Sequence, residues 1–341
     1  MLHVAHMNDA KVSKKVFGKQ SWKHFSECSF GSVLLETGLI VGTMQECSSM
    51  GPLDLVKLAP LMERSVGRAW VAISLIDGPV AIGHPDLGGQ SIREVPGTLG
   101  SVCARASSTA CLHGTFVAGI LVAKRGSSAP AICPGCTLLV RPIFAETSST
   151  NGGMPGATPE DLASAIIDSV NSGGRVLNLS AALVQPSSRS ERQLEEALNH
   201  AARQGAIVVA AAGNQGTVGG SAITGHPAVI PVAACDLQGR PLSESNLGRS
   251  IGRQGLSAPG VNIVSLSADG KEHVFSGTSA AAPFVTGAIA LLWSEFPNAR
   301  AEEIRMAVTR LGRPRKTIVP PLLDAWAAYR KLTMTHGGGV A

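Results

Sequence analysis

From Trp70 onward the chain alternates between short apolar runs and longer stretches whose apolar residues recur every three or four positions. The runs WVAISLID (70–77), RVLNLS (175–180), AIVVAAAG (206–213) and VIPVAA (229–234) carry little polar alternation. Such runs are expected of parallel strands covered on both faces. Between them lie helical patterns with readable ends. Thr158-Pro159-Glu160-Asp161 opens a helix over 159–172, with Thr158 as N-cap and Pro159 at the first helical position, and Gly173-Gly174 closes it. Glu191–Gln204 is a second helix, ended by Gly205, and a long Ala-rich helix starts at Thr278. This alternation predicts an α/β fold: a doubly wound, mostly parallel sheet with helices on both faces, in three layers.

The first 49 residues differ. They show weak periodicity and no clear caps, and the character of the chain changes at Met50. There LDLVKLAPLMERSVG is amphipathic, with Pro60 expected to kink it or end its first half. The reading is a leader over 1–49, either a natural segment or an over-extended reading frame, a single domain over 50–332, and a flexible tail over 333–341.

Composition narrows the function classes. Of 341 residues 44% are hydrophobic and 16% charged, enough apolar content for a sizeable core. The formal net charge of +5 is not gathered into long basic runs, so neither nucleic acid nor a membrane is expected as partner. No stretch of eighteen apolar residues suggests a membrane span. Five lysines (Lys11, Lys14, Lys15, Lys19 and Lys23) precede the semi-apolar segment 30–44, but Glu36 interrupts it and no A-x-A site follows. A cytoplasmic location is therefore expected, with secretion as the alternative.

Four segments carry chemistry, each with a plainer reading beside it. Asp77 ends the first apolar run, on the side where open α/β sheets place ligands; alone it reads as a turn residue before Gly78-Pro79. His113, in ACLHGTFVAGIL, sits where packing fixes a general base, or is a structural histidine. Asn214 ends VVAAAGN and offers an amide donor to an oxyanion, or is a turn Asn. Ser279 opens the helix of GTSAAAPFVTG, where its own N–H and the positive helix end favour a developing oxyanion, or is an ordinary cap. Together they stand in the order Asp, His, Asn, Ser, each at an element edge; Asp, His, Ser is the known chain order of subtilisin.

On LIDG, HGTFVAG, AAAGN and GTSAAAPFVTG, with HPDL (84–87) and APG (258–260), the chain resembles the subtilases over residues 67–330. The resemblance implies a serine endopeptidase working through an acyl-enzyme. Asp77 orients the imidazole, His113 is base and acid, Ser279 attacks, and Asn214 with the Ser279 N–H holds the oxyanion. It further implies that Ser180, Ala181 and Ala182, with Ala212 and Gly213, bind substrate and wall its first pocket, where β-pairing would hold the peptide extended. The pattern departs from the family where Gly78-Pro79 directly follow Asp77, where Ala182 replaces a usual Gly, and where Phe284 stands in place of a frequent His. LIDGPV, HPDL, PIF (142–144) and QGLSAPG (254–260) are closest to the proteases that mature cyanobactins and related ribosomal peptides. The substrate implied is a peptide or protein, including a precursor peptide. The spacings of 36 residues from Asp77 to His113 and 65 from Asn214 to Ser279 leave little room for the added segment of cyclising forms, which favours hydrolysis. The alternatives are a general intracellular peptidase and a non-catalytic scaffold that binds peptides. No cofactor is required. Asp86 aligns with a calcium ligand of some subtilases, yet calcium takes six to eight oxygens and one carboxylate is a thin basis for it.

Four of seven cysteines, Cys103, Cys111, Cys133 and Cys136, flank the His113 helix. Three states stay open: disulfides joining the loop before that helix to the loop after it, a structural zinc site, and free thiols. Cys235 is expected in the core at a strand end, and His226 in a solvent-facing loop.

Overall fold

The computed structural model describes residues 2–3, 50–146, 156–180, 182–183, 188–309 and 316–336, the backbone alone at 2–3, 182–183 and 188–191. Its strands are β1 (Leu2–His3), β2 (Ala72–Asp77), β3 (Ile92–Glu94), β4 (Thr137–Pro142), β5 (Val176–Leu179), β6 (Ala182–Leu183), β7 (Ile207–Ala211), β8 (Val229–Cys235), β9 (Leu256–Pro259), β10 (Ile263–Leu266) and β11 (Glu272–Phe275). Its helices are α1 (Pro52–Leu55), α2 (Ala59–Arg64), α3 (Thr109–Val122), α4 (Pro159–Asn171), α5 (Ser188–Arg203), α6 (Ala222–Gly225), α7 (Arg249–Gln254), α8 (Thr278–Glu295), α9 (Ala301–Thr309) and α10 (Ala325–His336). None of the described helices is long and apolar enough to cross a membrane.

Seven strands form one parallel sheet in the order β3-β4-β2-β5-β7-β8-β9. The expected doubly wound sheet is therefore present. From β2 the chain builds outward through β3 and β4, then returns to β5 on the other side of β2. The order of winding thus reverses beside β2, and the crevice outside the carboxyl ends of the strands at such a reversal is where open sheets bind ligands. Asp77 is the last residue of β2.

Strand alternation sorts the core into two layers. Ile73 and Leu75 join Phe116 of α3 and Ala281, Phe284 and Trp293 of α8 in one cluster. Ile76, Leu177 and Leu179 join Leu162 of α4 and Leu198 of α5 in the other. By the same period of two, Asp77 shares the face of Ile73 and Leu75, the face covered by α3 and α8. α8 is buried from Thr278 to Ser294, as an all-apolar helix demands.

Several element ends differ from the sequence reading. The segment around Pro60 forms two short helices, α1 and α2, with Pro60 in the first turn of the second. α4 has a capping box: Thr158 Oγ1 accepts from the Asp161 N–H and Asp161 Oδ2 accepts from the Thr158 N–H. α10 runs to His336, past residue 332 where the domain was expected to end; its buried Ala325, Ala328 and Leu332 hold it to the core. The leader reading falls outside the described residues except at β1, which pairs antiparallel with β6 in the register Leu2 to Leu183 and His3 to Ala182.

Candidate active site

The four chemistry-bearing side chains converge at the carboxyl edge of the sheet. His113 Nδ1 donates to Asp77 Oδ1 at 2.7 Å, and the Ser279 hydroxyl lies 2.9 Å from His113 Nε2. All three are buried, with Ser279 the most open at 8% exposure. An ionised carboxylate only accepts hydrogen bonds, so Asp77 places the ring proton on Nδ1 and leaves Nε2 free to accept. Asp77 Oδ1 also takes the Gly78 N–H at 2.6 Å, while Oδ2 is buried with no partner among the described residues.

Close backbone packing brings His113 to this carboxylate. α3 begins at Thr109, so His113 lies inside the helix, beyond its first turn, and not at its start as expected. A Cβ on Gly78 would lie 2.0 Å from the Ala110 carbonyl oxygen, and one on Gly114 would lie 2.5 Å from that of Gly78. The two glycines therefore let α3 press directly on the end of β2. This gives a physical reason for the Gly that follows Asp77 without an intervening hydroxyl residue. Phe275 of β11 packs on the His113 ring with centroids 5.7 Å apart, and its ring in turn meets Phe116 and His273.

The serine and the amide are joined differently. Asn214 Oδ1 accepts the Thr278 N–H at 2.9 Å and the Thr278 hydroxyl at 2.8 Å, and Thr278 Oγ1 accepts the Gly213 N–H at 3.1 Å. Oδ1 is thereby committed, and the Nδ2 amide is left as the donor. Gly277 has φ of +136°, and a Cβ there would sit 2.3 Å from Asn214 Nδ2. The Ser279 N–H falls in the first turn of α8, where no carbonyl four residues back lies in the helix. Thr286 Oγ1 donates to Asn178 Oδ1 at 2.8 Å and ties α8 to β5. Thr278, Gly78 and Phe275 hold the site, yet no role was read for them in sequence. All three lie inside or beside the quoted motifs, so the signal was there.

The residues expected to bind substrate are placed unevenly. Ser180 is buried and its Oγ accepts from Asn178 Nδ2 at 3.2 Å. Ala212 and Gly213 follow the end of β7, where the Gly213 N–H meets Thr278. Ala181 lies outside the described residues, and of Ala182 the backbone in β6 is described. Phe284 is fully buried in the core. His226 is buried rather than solvent-facing: its Nδ1 accepts the Ala228 N–H, and burial, helped by the Arg305 charge and opposed by Glu195, lowers its pKa.

Cys103 and Cys111 form a disulfide between the loop before α3 and the helix itself, a pairing that differs from the crossing bridges that were one of the three open states. Cys133 and Cys136 are buried free thiols hydrogen-bonded to each other; that hydrogen bond and burial raise the pKa of Cys133, and the same hydrogen bond lowers that of Cys136. A four-cysteine zinc site is absent among the described residues, where Cys103 and Cys111 have only Glu146 close enough to complete a metal-binding group. Cys235 is a buried thiol at the end of β8, with its pKa pushed up to about 12 by burial. Asp86 belongs to no cluster of three or more His, Cys, Asp and Glu side chains among the described residues.

Comparison with known proteins gives concordant matches. The model of the Subtilase family matches residues 69–313. A Thermophilic serine proteinase of Bacillus sp. (strain AK1) is 36% identical over 246 residues, 71% of this chain and 56% of that protein. The chain thus spans little more than half of that relative. Among solved structures, the protease domain of PatA superposes with a TM-score of 0.72 at 30% identity, covering 79% of this chain and 97% of that one. The Prenylagaramide maturation protease PagA follows with a TM-score of 0.71 at 28% identity, covering 81% and 98%.

Proposed function

Because the chain belongs to the Subtilase family, we propose that it is a serine endopeptidase that cleaves peptide bonds through an acyl-enzyme on Ser279. The observation that carries this reading is the unbroken relay from Asp77 Oδ1 to His113 at 2.7 Å and from His113 Nε2 to Ser279 Oγ at 2.9 Å. In that relay His113 Nε2 takes the hydroxyl proton as Oγ attacks the scissile carbonyl. Asp77 stabilises the imidazolium that forms, and His113 returns the proton to the leaving amine. The carbonyl oxygen gains charge between Asn214 Nδ2 and the Ser279 N–H. Donors set before the reaction are worth more there than in water, because they need no reorganisation. Water then enters on the leaving-group side, is deprotonated by His113, and releases the acyl group.

The substrate is an extended peptide held by strand addition along Ser180–Leu183. Support comes from β6, whose backbone already accepts an antiparallel partner in Leu2–His3. Within this class we favour the maturation of a precursor peptide, on the likeness to PatA and PagA across nearly the whole of their protease domains. Labelling with a fluorophosphonate probe tests the reading. The folded wild type is labelled and Ser279→Ala is not; a folded wild type that stays unlabelled would instead favour a peptide-binding scaffold.

A further inference from the structure

Away from the catalytic edge, α7 and the segment 316–317 enclose a cavity of about 480 Å³ lined by Arg249, Ser250, Arg253, Lys316 and Thr317. Three cations and two hydroxyls share it, and no acid lines it. None of the three cations makes an ion pair among the described residues.

The walls are fixed to one another. A Cβ on Gly252 would lie 1.9 Å from the Thr317 carbonyl oxygen, so the 317 backbone rests directly on α7. The Gly248 N–H also donates to the Ile318 carbonyl. Backbone packing therefore gathers three exposed cations around one cavity. A bound anion offsets like charge gathered in this way, and guanidinium groups grip carboxylates through paired hydrogen bonds.

The cavity is also tethered to the oxyanion residue. Asn246 Oδ1 accepts the N–H groups of Gln215 and Thr217, and the Asn246 N–H donates to Gly213. Arg249 begins three residues later. Asn246 thus ties the segment that leads into α7 to the loop that carries Asn214.

We propose that this cavity is an exosite for a carboxylate-rich segment of the peptide substrate, distant in sequence from the bond that is cut. This rests on the peptidase reading above. No aromatic side chain lines the cavity, so it lacks the stacking surface that single-stranded nucleic acid uses, whereas two arginines, a lysine and two hydroxyls suit a pair of Asp or Glu side chains. Anchoring a remote part of the substrate raises its local concentration at the catalytic edge and leaves the chemical step unchanged.

The test compares a short neutral peptide with the same peptide carrying a Gly/Ser spacer and four glutamates, added at either end. In wild type the acidic extension at one end raises kcat/KM by about tenfold at low salt, through KM, and 0.5 M salt removes the gain, roughly as surface steering predicts. In R249E/R253E and in Lys316→Glu the gain is lost or reversed, while the neutral peptide is cleaved as in wild type, which also shows the variants are folded. Equal gains in wild type and both variants, or no gain at either end, overturn the exosite. Binding of a fluorescent, spacer-linked tetraglutamate to Ser279→Ala supplies a readout that needs no cleavage. Loss of that binding in R249E/R253E on the same background supports the exosite even if no neutral peptide is cut. A single-stranded oligonucleotide that binds Ser279→Ala more tightly than the tetraglutamate, with the same dependence on Arg249 and Arg253, overturns the assignment to an acidic peptide.

Discussion

Asp77 meets His113 because backbone packs on backbone, whereas Ser279 meets Asn214 through the hydroxyl and N–H of one threonine. On the first side, Gly78 and Gly114 leave no room for a methyl group between β2 and α3. On the second, Thr278 fills the space between the Asn214 amide and Gly213. Packing of the first kind fails by steric displacement, and is all-or-none. Hydrogen bonds of the second kind fail one at a time, with a graded cost. Among the described residues, one side-chain hydrogen bond joins the four catalytic groups across the two halves, from Ser279 Oγ to His113 Nε2.

Removing that contact should erase the distinction. Ser279→Ala and His113→Ala are each expected to lower kcat by about a million-fold, the size known for the corresponding groups in subtilisin itself. Each variant alone should cost nearly as much as the double variant, because the groups act as a unit. Single-turnover assays on a shared peptide measure this, and additive losses would show that the two halves work independently. Next in size, Asn214→Ala is expected to lower kcat by about a hundred- to a thousandfold with little change in KM, again the range known from subtilisin. A rise in KM at constant kcat would mean that the amide binds the ground state instead.

Much of the hydrogen-bonded half could be read in the sequence, because its parts are contiguous. GTSAAAPFVTG and AAAGN place the nucleophile and the amide at element edges, and a helix apolar on every side announces its own burial. The packed half was harder to read. His113 belongs to a helix that starts at Thr109, but glycine at 114, a poor helix former, obscures in sequence that the helix is already under way at His113. Gly78 looked like a departure from a family pattern, and only the distance to Ala110 shows what it does. The pairing of Cys103 with Cys111 depends on a loop closing back on its own helix, and spacing alone does not specify which cysteine faces which. Strand β4, with Arg141 among apolar neighbours, was noticed only through PIF at its end. His226 is misleading in sequence for a related reason: part of its cover comes from α7, distant in sequence, whose Gln254 Nε2 donates to the carbonyls of Thr224 and His226.

Gly78→Ala probes the packed half directly. The new methyl group collides with a helix carbonyl, not with the end of a flexible side chain, so α3 or β2 must move. A loss of roughly 1–3 kcal/mol is expected, as for overpacking of a filled interior, together with loss of probe labelling. Gly83→Ala is the control. A Cβ there meets nothing within 4 Å, so unfolding temperature and labelling should match wild type. A silent Gly78→Ala would remove the argument that close approach sets the Asp77–His113 geometry.

Reducing the Cys103–Cys111 bridge separates packing from cross-linking within the same half. The bridge spans eight residues of sequence, and a loop of that length contributes roughly 2–3 kcal/mol through the unfolded chain. A dithiol reductant should therefore lower the unfolding temperature by about 5 °C. Cys103→Ser should show the same lower temperature with or without reductant. Activity well below the transition should change little, because the glycine contacts still seat α3 on β2. A large loss of kcat on reduction, at a temperature where the fold persists, would move the positioning role from packing to the bridge.

The smallest effect belongs to the hydrogen-bonded half and tests its graded character. Thr278→Val keeps shape and volume but removes the hydroxyl that donates to Asn214 Oδ1 and accepts from Gly213. The Thr278 N–H still holds Oδ1, so the amide stays oriented by one bond in place of two. The expected loss is about three- to tenfold in kcat, the net worth of one neutral hydrogen bond felt at the transition state. Thr278→Ser restores the hydroxyl without the methyl group and should recover most of kcat; a variant that merely loosened packing would not be rescued this way. If Thr278→Val costs as much as Asn214→Ala, the hydroxyl is not one of several graded supports but the sole anchor of the amide. The contrast between the two halves of the site would then disappear.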